Sequence, residues 1–245
     1  MGKATGFMEF TRKNCSREDA LSRINHWNEF DTPLTEEERK EQGARCMDCG
    51  VPFCQSGVIL NGMATGCPLH NLIPEWNNLV YLGKWKLGLE RLLKTSNFPE
   101  FTSRVCPALC ENACTCGLHG DAVTVKANER YLIEKGFSEG IIKANPPQIR
   151  TGKKIAVIGS GPSGLACSDF LNNLGHSVTV YEREDRVGGL MMYGIPNMKL
   201  EKNIIERRVN ILKEEGINFK TCVNVGIDIT FDELDKDYDA IVVTI

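Results

Sequence analysis

Residues 154–165 constrain the fold more than any other part of the chain. An apolar run over 155–158 is typical of a buried parallel strand, and the motif G-x-G-x-x-G follows it directly at Gly159, Gly161 and Gly164. In such a turn the glycines let the backbone approach a pyrophosphate, and the N-terminus of the next helix attracts its negative charge. The order of strand, turn and helix predicts a Rossmann-like nucleotide-binding unit.

The segments after the turn complete the pattern of a dinucleotide site. A helical pattern begins at Pro162, a second strand is predicted over 177–181, and Glu182 stands at its end. The carboxylate of Glu182 can accept hydrogen bonds from a ribose. The alternative is a turn that is merely tight and structural. The apolar positions expected on one face of the helix are Leu165, Ala166, Phe170 and Leu174.

The cysteines form the second strong signal. The chain has 11, and eight of them fall between Cys46 and Cys116. The first residues lack the apolar region of an export signal, so a cytoplasmic protein with reduced thiols is expected, and clustered thiols then favour metal over disulfides. The isolated Cys15, Cys167 and Cys222 are expected to be small buried hydrophobic residues.

The cysteine spacing favours iron–sulfur clusters. Residues 46–54 read C-x2-C-x4-C, Cys67 precedes a proline, and a third run occupies 106–116. If this run is a helix with Pro107 in its first turn, Cys106 and Cys114 lie roughly 12 Å apart, which suits two neighbouring clusters better than one. Zinc, which prefers paired knuckles, and plain structural thiols are the alternatives.

The remaining pattern outlines two domains. A capping box at Thr35 predicts a helix to about residue 45, and Trp27 and Phe30 are expected to be anchors. Further helices are predicted over 74–82, 84–93, 123–137 and 200–215, strands over 217–225 and 239–245, and a linker over 143–153. The predicted fold class is therefore an α-helical domain, residues 1–145, followed by an α/β Rossmann-like domain, residues 153–245.

Composition excludes two classes of function. The net charge is −3 and no basic block occurs, which argues against a nucleic-acid partner. No apolar run is long enough for a membrane span.

These residues resemble the small (beta) subunit of the glutamate synthase family, and more distantly the N-terminal part of dihydropyrimidine dehydrogenase. The matching stretches cover nearly the whole chain, and 193–202, Y-G-I-P-N-M-K-L-E-K, is especially specific. The resemblance implies a helical domain with two [4Fe–4S] clusters, packed on an FAD domain into which an NAD(P)H domain is inserted. It also implies a large (alpha) subunit as partner, where electrons reduce 2-iminoglutarate, formed from 2-oxoglutarate and glutamine-derived ammonia, to glutamate.

The resemblance also implies site residues, though no catalytic residue in this chain. One cluster would be held by Cys46, Cys49, Cys54 and Cys114. The other would be held by Cys67, Cys106, Cys110 and the non-cysteine ligand Glu129. FAD would be bound by Gly159, Gly161, Pro162, Ser163, Gly164, Glu182, Gly189, Leu190, Lys199 and Val225, with Val105 meeting the flavin from the cluster side.

Three features depart from the family pattern. Residues 58–65 are an insertion between Cys54 and Cys67, and Cys116 is an extra thiol that competes with Glu129 as a ligand. No second G-x-G-x-x-G follows Glu182, so an NAD(P)H site of the family's kind is not expected in this chain, which reads as part of a longer or split subunit. A related flavin and iron–sulfur subunit (ferredoxin:NADP or sulfide-linked) and a non-enzymatic electron relay remain alternatives.

Overall fold

The computed structural model describes residues 2–245, which divide into two compact units. The N-terminal unit contains the chain up to His26 together with Phe30–Ile142. The C-terminal unit contains Trp27–Glu29 and Lys143–Ile245.

The N-terminal unit is mainly helical, with short antiparallel pairs of strands. Its elements in chain order are α1 (Gly6–Glu9), β1 (Ser16–Arg17), α2 (Ala20–Arg23), β2 (Asp31–Thr32), α3 (Glu36–Ala44), β3 (Val58–Leu60), β4 (Met63–Thr65), α4 (Ile73–Tyr81), α5 (Trp85–Leu92), α6 (Pro99–Val105), α7 (Leu109–Asn112) and α8 (Val125–Ser138). Strand β1 pairs with β2, and β3 pairs with β4. The insertion at residues 58–65 is thus a hairpin, and its turn at Asn61 and Gly62 has positive φ at both residues.

The predicted helix beginning at Thr35 is confirmed as α3. The Thr35 hydroxyl accepts from the Glu38 amide, and the Glu38 carboxylate accepts from the Thr35 amide at 2.9 Å. The predicted helices at 74–82, 84–93 and 123–137 correspond to α4, α5 and α8. Their buried side chains form one core, which includes Trp76, Leu89, Leu92, Leu132 and Ile133. This core is the support on which the cysteine-bearing loops lie.

The prediction of one helix through residues 106–116 is wrong. Cys106 is extended, with ψ 138, because the proline that follows it disfavours the helical conformation. Ala108 has φ 57, α7 lasts a single turn, and Cys114 is extended again before a short 3-10 turn at Thr115–Leu118. The three cysteines therefore lie on a sharply turning loop and not along one helix face.

The C-terminal unit is built on a parallel sheet of four strands. Its elements are β5 (Lys154–Ile158), α9 (Pro162–Asn173), β6 (Ser177–Tyr181), α10 (Leu190–Tyr193), α11 (Lys202–Glu214), β7 (Asn218–Lys220), α12 (Phe231–Asp237) and β8 (Ala240–Val243). The strand order is β7-β6-β5-β8, with Ile155 opposite both Val178 and Ala240. The glycine-rich turn follows directly after the carboxyl end of β5. Open α/β sheets bind their ligands at this end of their strands.

The prediction of the apolar face of α9 is wrong in part. Leu165 is buried, but Phe170 is 60% and Leu174 is 54% exposed. At 3.6 residues per turn these two side chains lie about 140° and about 180° around the helix from Leu165. The buried side is completed instead by polar residues: the Ser168 hydroxyl donates to the Gly164 carbonyl at 2.7 Å, and Asn172 accepts from Arg150 at 2.7 Å.

Two smaller expectations also fail. Trp27 is 71% exposed and is not an anchor of the core. Cys222 is exposed because the third strand of the sheet ends at Lys220, earlier than expected, and the chain turns at Cys222 with φ 57. No helix among residues 2–245 is both long and apolar enough to cross a membrane.

The core of the N-terminal unit predicts the effect of shortening one buried side chain. Leu132 on α8 is fully buried and lies against Gly88 of α5. Leu132→Ala should lower the free energy of unfolding by about 2–5 kcal/mol, because it removes buried methyl groups and leaves a cavity. Leu21→Ala is the control, since Leu21 is 75% exposed. Denaturant unfolding followed by circular dichroism measures both, and equal effects would contradict this description of the core.

Candidate functional site

Four of the predicted cluster ligands line one small cavity. They are Cys46, Cys49, Cys54 and Cys114, and Cys116 lines the same cavity. The first three come from the loop between α3 and β3, and the other two come from the loop after α7. Because α7 is so short, the chain turns away from Cys110 and carries Cys114 to this cavity.

The other predicted ligands form a second group. Burial raises the pKa of the Cys67 thiol, and Glu129 and Cys106 are charges close enough to raise it further. Burial likewise raises the pKa of Cys110, and Cys67, Glu129 and Cys106 are among the charges that add to it. The structure therefore brings these four residues near one another, separately from the group around Cys46.

Glu129 faces this second group from α8. Its side chain is buried and its carboxylate accepts a hydrogen bond from the Thr102 hydroxyl. Burial raises the pKa of Glu129 to about 7. A buried carboxyl group has no solvent to hydrate its anion. The Thr102 hydrogen bond and the charge of Lys126 act in the opposite sense and favour ionisation, as a bound cation would.

The thiols around the cavity differ in their protonation. Burial raises the pKa of both Cys46 and Cys54 to about 12, so without metal they keep their protons at neutral pH. A hydrogen bond between Cys114 and Cys116 lowers the pKa of Cys114 and raises that of Cys116. Metal ligands must be thiolates, so loading this site would release protons.

Four thiols around the cavity could serve as ligands of a polynuclear cluster. Among residues 2–245, no three His, Cys, Asp or Glu side chains are gathered closely enough to hold one metal ion. In a four-iron cluster each thiolate binds a different iron, so the ligands stand farther apart than around a single zinc ion. The shared cavity and the softness of the four thiols fit such a cluster.

A buried arginine holds the loops around the first group. Arg45 precedes Cys46 and is 3% exposed. Its guanidinium donates to the carbonyls of Phe10 at 3.0 Å, Ala122 at 3.0 Å and Asp121 at 2.6 Å. Burial lowers the pKa of Arg45, and the charge of Cys116 opposes this most strongly. The residue sits beside a cysteine motif, but nothing in the sequence distinguishes it from a surface arginine.

The glycine-rich turn has the geometry that a pyrophosphate site requires. A Cβ on Gly164 would lie 2.0 Å from the Gly159 carbonyl oxygen, so only glycine lets α9 approach the strand this closely. At Gly161, the N-cap residue just before α9, a Cβ would meet no atom within 4 Å. The backbone of Gly161 is therefore open on the side where a ligand could approach, and Pro162 and Ser163 next to it are exposed.

Glu182 is buried beneath this turn. Its Oε2 accepts from the Ser160 amide at 3.0 Å and from the Ser160 hydroxyl, and its Oε1 accepts from the Glu184 amide at 2.9 Å. The Ser160 hydroxyl in turn accepts from the Gly188 amide at 3.1 Å. Ser160 was not predicted as a site residue, since it occupies a variable position of the motif. An ionised carboxylate has about four acceptor positions, so Glu182 keeps capacity for a ribose.

The other residues predicted to bind flavin differ in their exposure and in their distance along the chain from the turn. Gly189 has φ 53, and a Cβ there would lie 2.8 Å from the Gly161 Cα, so it adjoins the turn. Leu190 is 77% exposed, Lys199 is exposed, and Val225 packs against the core that contains Ala156 and Tyr181. Val105 is half-buried at the end of α6 in the other unit.

Lys202 was also missed by the sequence reasoning. Its Nζ donates to the carbonyls of Met191 at 2.6 Å and Ile195 at 2.5 Å. The lysine thereby fixes the specific segment 193–202 beside the turn. The only signal in the sequence was its membership of that segment.

Two families match this chain. Dihydropyrimidine dehydrogenase domain II, 4Fe-4S cluster, matches residues 23–141, and an NAD(P)-binding Rossmann-like domain matches residues 157–213. Together with the helical unit and the parallel sheet, these matches confirm the predicted fold class, an α-helical iron–sulfur domain followed by a Rossmann-like domain.

Glutamate synthases are among the curated relatives of this chain. The chain is 59% identical to the Glutamate synthase [NADPH] small chain of Bacillus subtilis, over 99% of this chain and 49% of the relative. It is 53% identical to the Glutamate synthase [NADH] of Saccharomyces cerevisiae, over 99% of this chain and 11% of the relative. These matches confirm the resemblance, and the chain spans about half the length of the small chains it matches.

One solved structure is similar over a smaller part of the chain. FprA from Mycobacterium tuberculosis is 27% identical with a TM-score of 0.32, over 38% of this chain and 22% of that chain. A similarity of this extent does not bear on function.

Two of the three glycines of the turn are expected to respond differently to substitution. Gly161→Ala should leave the free energy of unfolding within about 0.5 kcal/mol of the wild type, because its Cβ points into open space. It should nevertheless reduce dinucleotide retention, because the predicted pyrophosphate would occupy that space. Gly164→Ala should destabilise the C-terminal unit, because its Cβ would collide with a backbone carbonyl. Thermal unfolding and bound flavin after gel filtration distinguish them. Full flavin retention in Gly161→Ala would contradict the assignment.

Proposed function

We propose, from the relationship of this chain to the glutamate synthase small chain, that it is the electron-transfer part of an NAD(P)H-dependent glutamate synthase. In this proposal it passes electrons from FAD through iron–sulfur clusters to a large subunit, which forms glutamate from 2-oxoglutarate and glutamine-derived ammonia. The observation that carries the proposal is the gathering of Cys46, Cys49, Cys54 and Cys114 around one cavity, in a chain that also has an open glycine-rich turn.

The N-terminal domain, residues 1–145, would hold two [4Fe–4S] clusters. The cavity supports Cys46, Cys49, Cys54 and Cys114 as ligands of the first. The charges of Cys106 and Glu129 raise the pKa of both Cys67 and Cys110, which supports these four residues as ligands of the second cluster. The cysteines would hold the clusters as thiolates and Glu129 as a carboxylate, so the protons that these groups carry would be released on loading.

The C-terminal domain, residues 153–245, would bind FAD. Gly161 leaves room for the pyrophosphate, and the N-terminus of α9 faces it. Glu182 holds the Ser160 amide in place and offers its remaining acceptor positions to the ribose. Gly189 closes the turn, while Leu190, Lys199 and Val225 are the further contacts that the family resemblance implies.

The cofactors supply the electron chemistry. When bound, a flavin accepts two electrons as hydride and releases them singly to one-electron carriers such as iron–sulfur clusters. The residues of this chain bind, orient and shield these groups. NAD(P)H would bind outside the residues of this chain. The proposal includes a cytoplasmic location, where thiols stay reduced. Co-purification of a glutamate synthase large subunit with the tagged chain distinguishes this function from that of a related oxidoreductase.

The division into two domains predicts separable cofactor loss. Cys49→Ser should lower iron and acid-labile sulfide per chain by about half, because one of two clusters loses a thiolate ligand. FAD content should not change, because Cys49 belongs to the other unit. Cys222→Ser is the matched control, since Cys222 is exposed and far along the chain from the cysteine runs. Unchanged iron in Cys49→Ser, or zinc in the wild type, would contradict the assignment.

The eighth ligand is tested by a second pair of variants. Glu129→Ala should make one cluster labile, so that its visible absorption near 400 nm decays faster in air, because that cluster loses its only non-cysteine ligand. Cys116→Ala should not, because Cys116 lines the first cavity, where four other cysteines are present. Cluster loss in Cys116→Ala with a stable Glu129→Ala variant would reverse the assignment.

A further inference from the structure

Arg45 is a buried cation whose hydrogen bonds all go to neutral acceptors. Its guanidinium is satisfied by three backbone carbonyls, those of Phe10, Asp121 and Ala122. No carboxylate lies within ion-pair distance of it in the part of the chain that the structure describes. A buried charge normally requires a charge of opposite sign, because carbonyl dipoles compensate only part of the lost hydration.

Two other arginines of the unit have such partners. Arg12 also donates to the Ala122 carbonyl, but it forms an ion pair with Glu111. Arg104 is buried as well, and it pairs with Glu134 at 2.8 Å. Arg39 is buried without an ion pair, but its guanidinium faces the Tyr131 ring and the Cys15 thiol, whereas Arg45 adjoins the first cysteine group.

The surroundings of Arg45 are the first cysteine group. Arg45 is bonded to Cys46 along the chain, and the Cys116 thiol donates to the Arg45 carbonyl at 3.6 Å. The guanidinium also donates to the Ala122 carbonyl, and Val123, the next residue, lines the same cavity as Cys46 and Cys114. Thiolates bound to a metal cluster in that cavity would supply the missing counter-charge.

We propose that Arg45 is the counter-ion of the cluster held by Cys46, Cys49, Cys54 and Cys114, and that its charge raises the reduction potential of that cluster. This inference rests on the proposed function. A four-iron cluster on four thiolates is already negative and becomes more negative by one charge when it takes up an electron. A nearby cation in a low-dielectric interior stabilises the reduced form more than the oxidised form.

Arg45 acts here as a positioning and tuning residue and touches no substrate. Its effect on the redox equilibrium differs from a purely structural role, because it depends on charge and not only on the three hydrogen bonds. The cluster assigned to Cys67, Cys106, Cys110 and Glu129 has a different cation near it: the Lys126 ammonium donates to the Cys106 carbonyl at 2.8 Å, and its charge acts on Glu129. Only the first cluster should therefore respond to a change of charge at Arg45.

The test is a redox titration of the full chain, purified anaerobically and followed by electron paramagnetic resonance. Arg45→Gln keeps hydrogen-bond donors but removes the charge, and the reduction equilibrium constant of one cluster should fall about tenfold, which is about 59 mV for a one-electron couple. Arg45→Lys keeps the charge and should stay close to the wild type. The other cluster should be unchanged in both variants.

Each outcome decides the proposal. Loss of the first cluster in Arg45→Gln but not in Arg45→Lys would support the counter-ion role. Equal shifts in both variants, loss of the cluster in both, or no shift in Arg45→Gln would overturn it. A wild-type chain without iron–sulfur signals would instead overturn the proposed function, so the two failures are distinguishable.

Discussion

The cysteine loops of the N-terminal unit are fixed by polar contacts to the backbone. Arg45 links three separate segments through the carbonyls of Phe10, Asp121 and Ala122. The helices α4, α5 and α8 supply the apolar core beneath, but the thiols themselves come from irregular chain. Because the chain turns after Cys110 and does not continue as a helix, Cys114 can line the same cavity as Cys46. The separation of the ligands into two groups depends on this arrangement.

The long elements were predictable because their signals are local. The capping box of α3 needs only Thr35 and Glu38, and the order of the parallel strands follows from the β-α-β pattern around the glycine-rich turn. The path of residues 106–116 was not predictable from spacing alone. A four-residue period suggests a helix, but Pro107 forces the residue before it into an extended conformation and the loop then follows its tertiary contacts. The two groups of predicted ligands still come together, but on a backbone different from the expected helix.

The candidate site likewise contains residues that a sequence motif predicts and residues that only the three-dimensional structure reveals. Gly159, Gly161 and Gly164 could be predicted from the sequence because their role is to carry no side chain, and the motif shows this directly. The bonds of Glu182 to Ser160 were not, because they join residues 22 positions apart and depend on how tightly the turn folds over the strand. Arg45 and Lys202 act through backbone carbonyls, which are present at every residue and leave no pattern in the sequence. Charges that orient a site in this way become visible only in three dimensions.

The central claim is that eight named side chains of this chain divide into two cluster sites. Anomalous diffraction at the iron absorption edge, from crystals of the anaerobically purified chain, tests it most directly. The account predicts two separate iron peaks in the N-terminal unit. One should be within bonding distance of the sulfurs of Cys46, Cys49, Cys54 and Cys114, and the other of Cys67, Cys106, Cys110 and the Glu129 carboxylate. A single peak, a peak only at the zinc edge, or a site that mixes the two groups would contradict it.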